Sequence, residues 1–149
     1  MMADVTDSAP NDSELFREFE HTGDIGIEID APTRSELFRR AAIALGAVMV
    51  ERKTVKASEE RHLQIEAVHD IERMHDMLSH LLDLFIVEGF VWRDASVVES
   101  DSELKIVLRG ESFDPNRHDF RGEVKAITYH QLTVAPDSSG WHARIILDV

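Results

Sequence analysis

The chain has 149 residues, 29 Asp and Glu against 16 Lys and Arg, a formal net charge of -13 and no cysteine, a length that suits one domain with one core. That balance disfavours direct capture of a nucleic-acid backbone, which rewards clustered Lys and Arg; the absent cysteines exclude disulfides, thiolate metal sites and a cysteine nucleophile. No apolar run approaches the roughly 20 residues of a membrane-spanning helix and no basic start leads into an apolar signal core, so a cytoplasmic, membrane-free protein is expected.

In chain order, residues 1–13 are polar, carry Pro10, Asp4, Asp7 and Asp12, and read as a disordered tail. The domain is expected over residues 14–149. A first strand runs through Phe19 and His21, and a second comes next, in which Ile25, Ile27 and Ile29 alternate with Gly26, Glu28 and Asp30. Thr33 and Glu36 form a capping-box signature before Leu37, Phe38, Ala41, Leu45, Val48 and Met49, which recur at helical spacing. Residues 51–61 are charged and read as a solvated loop, and Leu63, Ile65 and Ala67 then alternate as a third strand. Asp70 is placed to cap a second helix whose stripe is Ile71, Met74, Leu78, Leu81 and Phe85, and Gly89 is placed to end it.

Beyond Gly89 the period is two: over 91–98, at Leu104, Ile106 and Leu108, over 126–134 and over 141–147. The last two stretches, joined by Ala135-Pro136-Asp137-Ser138-Ser139-Gly140, predict an antiparallel hairpin. Its register sets Tyr129 or His130 near Ile145, and Lys125 or Ala126 near Asp148 and Val149. Two helices and about seven strands predict an α+β fold: a two-layer single domain, both helices packed on a largely antiparallel sheet.

The candidate chemistry lies in two acidic clusters. Asp24 sits within Glu20-His21-Thr22-Gly23-Asp24-Ile25-Gly26, between glycines that allow a tight backbone path. Asp148-Val149, where the sequence stops, offers a side-chain and a main-chain carboxylate on adjacent residues. If folding joins them, a hard-cation site results; otherwise Asp24 is a turn residue bonded to local amides and Asp148 an exposed acid on a last strand. Lys125 could reach the terminal acids or form a surface salt bridge worth at most about 1 kcal/mol. His62, His69, His75 and His80 fail zinc spacing, His75 and His80 being five apart on a helix rather than four. His21, His118 and His130 suit either structural hydrogen bonds or acid/base chemistry. The loop Gly110-Glu111-Ser112-Phe113-Asp114-Pro115-Asn116-Arg117-His118 holds no nucleophile with a visible partner, and no phosphate-cradling or dinucleotide motif occurs.

Together, Glu20-His21-Thr22-Gly23-Asp24-Ile25-Gly26, Gly110-Glu111 with His118, Glu123-Val124-Lys125-Ala126-Ile127-Thr128-Tyr129-His130 and the ending Asp148-Val149 resemble the archease family, in order and separation, from Phe16 to Val149. The resemblance implies a cofactor protein for the GTP-dependent RNA-splicing ligase of tRNA splicing, one that promotes guanylylation of the ligase and its multiple turnover and is not itself an enzyme. It implies metal-binding groups at Asp24, Asp148 and Val149 and no catalytic residue; Lys125, His21 and His130 are candidate supporting residues. Oxygen-only ligands suit calcium foremost, with magnesium or manganese as further candidates. Two departures stand out: Gly23 replaces a usual alanine, and Ser79-His80 replaces an acidic pair. Two other functions fit the same residues, a small metal-dependent hydrolase using His21 or His130 as acid/base and a chaperone-like protein-binding module.

Overall fold

The computed structural model describes residues 12–149. Most of the expected tail therefore lies outside the described residues, while Asp12 and Ser13 belong to a helical turn, α1 (Asp12–Leu15). That turn is tied down by Arg52, whose guanidinium donates to Asp12 at 2.8 Å, and by the burial of Leu15.

Strands β1 (Arg17–His21) and β2 (Asp24–Ala31) form a hairpin, and helix α2 (Arg34–Met49) comes after it. Thr33 caps α2 as expected, accepting from the Glu36 amide at 3.2 Å. The capping box is half made, because the Glu36 carboxylate turns to Arg39 and Arg40 instead of reaching back. From Ala41 to Met49 every residue of α2 is buried. The helix contacts β2 on one side and β4 (Phe90–Glu99) on the other, so it has no solvent face along this stretch.

Residues 51–61, expected as a solvated loop, hold a 3-10 turn at Arg52–Thr54 and the start of β3 (Glu59–Glu66). The edge strand, expected at Leu63 and Ile65, pairs along β5 (Glu103–Ser112) from Glu59 onward, a start that its charged residues disguised. Helix α3 (Asp70–Glu88) begins at His69, which makes no side-chain cap, and Asp70 is not the cap. Its carboxylate instead meets Arg34 at 3.3 Å, across the helix pair. Gly89 ends α3 at φ 66, as expected.

The α+β class holds, with eight strands among the described residues divided between two antiparallel sheets. One has the order β3-β5-β4. The other runs β1-β2-β8-β6, where β8 is Gly140–Asp148 and β6 is Ala126–Ile127, and β7 (Thr133–Asp137) pairs with β8 farther along. The predicted final hairpin is therefore present with a two-residue turn at Ser138-Ser139 and a break in its first strand. Among the described residues no helix is long and apolar enough to cross a membrane.

Candidate functional site

The site is assembled by the pairing of β2 with β8. Ile25 lies opposite Leu147, Ile27 opposite Ile145 and Ile29 opposite Ala143, and this set faces the core. Opposed residues of an antiparallel pair share a face and successive ones alternate. The outward set is therefore Gly26 with Ile146, Glu28 with Arg144 and Asp30 with His142. Beyond the last pair, Ile25 with Leu147, the next residues on the two strands are Asp24 and Asp148, on the outward face. The first strand junction and the chain end are neighbours.

Three further elements close around this end. Thr22 and Gly23 turn the β1–β2 hairpin with φ of 36° and 85°, the positive values that a two-residue type I′ turn demands, and so set His21 directly opposite Asp24. Ala126 pairs with Asp148, and the Lys125 amide donates to the Asp148 carbonyl at 2.7 Å. Lys125 thus grips the terminal strand through its backbone, while its exposed side chain is unpaired among the described residues. Val149 packs its side chain against the core. The ring of Phe19 lies over Gly26, where a Cβ would come within 2.1 Å of it, and Arg144 stacks on that ring at 4.3 Å; this cover buries Ile146 on an otherwise outward face.

Neither the Asp24 nor the Asp148 carboxylate has a hydrogen-bond or ion-pair partner among the described residues. The turn-residue alternative for Asp24 is thus removed, since its oxygens accept no local amide. The imidazoles of His21 and His130 lie 5.5 Å apart, and His21 Nδ1 is buried without a hydrogen-bond partner. Buried polar atoms are rarely left so. Two carboxylates without a partner among the described residues thus lie at the adjoining ends of β2 and β8, and the orphaned nitrogen adds a polar group at the same end.

Glu111 and Asp30, by contrast, are already engaged. Glu111, 7% exposed, accepts from Arg117 through both oxygens, from the Lys56 amide at 2.7 Å and from His118 Nε2 at 2.8 Å. Chiefly because of the Arg117 guanidinium, its carboxyl is lowered from 4.5 to about 2. The Asp114 amide donates to His118 Nδ1 at 2.8 Å, which leaves the ring proton on Nε2. The Gly110 to His118 motif is therefore a clamp on a loop.

A constellation that sequence reasoning missed is Asp30, Asp137 and His142, the trio of Asp, Glu or His side chains among the described residues whose ligand atoms lie within 4.8 Å of one another. Asp30 there is held by Arg17 at 3.0 Å and His142 at 2.9 Å, and the hydrogen bond from His142 is the main cause of its lowered pKa. The signal that could have found it is the β2–β8 register, which sets Asp30 against His142. His80, part of the Ser79-His80 departure, lines a shallow cavity of about 360 Å³ with Arg61, His62 and Asp83.

Comparison with known proteins places the chain in a family. Residues 16–149 match the archease protein family (MTH1598/TM1083). An archease of Methanopyrus kandleri is 33% identical over 138 residues, covering 90% of this chain and 99% of its own length. That of Pyrococcus abyssi is 36% identical over 140 residues, with 90% and 98% covered. The solution structure of Methanobacterium thermoautotrophicum protein 1598 superimposes with a TM-score of 0.75 at 29% identity, covering 91% of this chain and 99% of that one. The fold is also that of a Thermotoga maritima archease, described as a possible chaperone, with a TM-score of 0.64 at 23% identity over 89% and 96% of the two chains. The chain belongs to the archease family.

Proposed function

We propose that this protein is an accessory factor of a GTP-dependent RNA-splicing ligase, promoting the guanylylation of that ligase and its repeated turnover in tRNA splicing. We further propose that Asp24, Asp148 and the carboxylate of Val149 hold a divalent cation, calcium foremost and magnesium or manganese next. The observation that carries this is the β2–β8 register, which makes Asp24 and Asp148 adjacent on one outward face, both carboxylates without a partner among the described residues. A bound divalent ion supplies positive charge with coordination positions left for a partner's oxygen groups. The protein's own residues fix where that charge sits: the Thr22-Gly23 turn presents Asp24, the Lys125 amide holds Asp148, and Lys125 and His130 stand at the rim. A net charge of -13 suits a factor that docks on an RNA-binding protein and leaves the RNA to it. The test is reconstitution with the ligase from the same source, measuring ligase guanylylation and multiple-turnover ligation. The expected result is stimulation by the wild type and its loss with Asp24→Asn; no stimulation by the wild type overturns the proposal. Cation-dependent hydrolysis of phosphate esters by the protein alone, abolished by Asp24→Asn, would favour the hydrolase.

A further inference from the structure

The strand that pairs with β8 is interrupted beside the acidic end. Ile127 lies opposite Leu147 and Thr133 opposite Arg144, so residues 128–132 stand against Ile145 and Ile146 alone. Such an excursion gives up sheet hydrogen bonds, and bulges of this kind re-aim side chains next to functional sites. This one is anchored at both ends. Thr128 donates through its amide and hydroxyl to the Ile146 carbonyl, at 3.3 and 3.1 Å, while Leu132 is buried and its amide donates to the Tyr129 carbonyl at 3.2 Å. Gln131 turns through φ 55 and its amide oxygen accepts from Arg144 at 3.2 Å.

What the excursion presents is Tyr129 and His130. Tyr129 is 56% exposed, yet its ring is held: it stacks on His75 of α3 at 3.8 Å between centroids, 10° from parallel. His75 in turn meets Asp76 at 3.3 Å. His130 continues the line to His21, and His21 faces Asp24. The result is a preorganised aromatic and imidazole ridge flanked by Asp24, Asp76 and Asp148.

We propose that this ridge is the docking face for a protein partner with a basic surface, with Tyr129 as its anchor. The inference rests on the accessory role above, which supplies a protein partner. A large amphipathic ring already fixed by stacking loses little freedom on binding, which is why tyrosine is enriched where interface energy concentrates. The flanking acids and the net charge of -13 select a positively charged face and repel a polyanion. Phe120, 48% exposed, offers a rival aromatic patch, but its ring packs against Phe85 and Phe113 and so extends an apolar cluster.

The test measures the affinity of the full-length protein for the ligase by calorimetry, with guanylylation measured in parallel. Tyr129→Ala is expected to weaken the complex about tenfold or more with an unchanged thermal melt, and Tyr129→Phe to restore most of it. Phe120→Ala should stay within about twofold, and raised salt should weaken the wild-type complex. Tyr129→Ala within about twofold of wild type overturns the docking face and leaves the accessory role standing. A weakened Tyr129→Ala complex without stimulation of guanylylation by the wild type supports the docking face and removes the accessory role. No complex with the wild type overturns both, and Tyr129 ring shifts on adding RNA alone would overturn the protein partner in favour of a nucleic acid.

Discussion

Asp24 and Asp148 are acids without a hydrogen-bond or ion-pair partner among the described residues that the strand register sets side by side. Arg17 and His142 hold Asp30, and Arg117 and His118 hold Glu111, whereas the two strand-end carboxylates are left adjacent and unpaired. Neither carboxylate makes a hydrogen bond or ion pair that would add to the stability of the folded protein. In chelator, Asp148→Asn is expected to melt at the wild-type temperature or about 2 °C above it, and on adding cation to gain less than the wild type gains. A lower melt in chelator would mean that this carboxylate makes a bond in the folded protein. Gly23 has a different role: at φ 85, with open space around its α-carbon, it relieves strain in the turn that presents Asp24. Gly23→Ala should cost about 1 kcal/mol, seen as a shift in denaturant midpoint with an unchanged slope; no shift would contradict the conformational assignment.

At the scale of elements, the Glu111 clamp ties the loop after β5 to the 3-10 turn and to Lys56. Its carboxyl is lowered to about 2 in the folded protein from an ordinary 4.5, so the stabilisation is fully present above pH 4.5 and is lost as pH falls toward 2. It amounts to about 3 kcal/mol. Glu111→Gln should lose it at neutral pH and show a flatter stability profile between those two values, measured by denaturant melts across pH; a wild-type slope in the variant would contradict the clamp. The sequence announced much at this scale. The alternation at Ile25, Ile27 and Ile29 marks β2, the spacing from Leu37 to Met49 marks α2, and Gly89 marks the end of α3, because each comes from local periodicity or backbone chemistry. It hid the start of β3, Glu59 to Arg61, whose charges are those of an exposed edge, and the break at residues 128–132, because a strand with period two looks the same whether or not it leaves the sheet midway. Asp70 misled as a cap because the pull of Arg34, distant in sequence, is not a local property. The Asp24 and Asp148 meeting was readable only as a conditional, since strand order is set by tertiary packing.

For the whole molecule, both ends of the described chain converge on one sheet: β1 and β2 near the start, β8 at the finish, with the acidic pair and the Tyr129 ridge on a single edge. Function is then expected to be sensitive to extension beyond Val149 and indifferent to extension ahead of the domain. Appending residues after Val149 should weaken cation binding and ligase stimulation, while an N-terminal tag leaves both unchanged; equal stimulation by the two versions removes Val149 from the site. The most direct measurement of the central claim is a calorimetric cation titration of wild type, Asp24→Asn, Asp148→Asn and the double variant. If the two carboxylates grip one ion, each single variant loses about tenfold or more in affinity and the double variant loses far less than the product of the two. Unchanged affinity in either single variant, or losses that simply multiply, would contradict it.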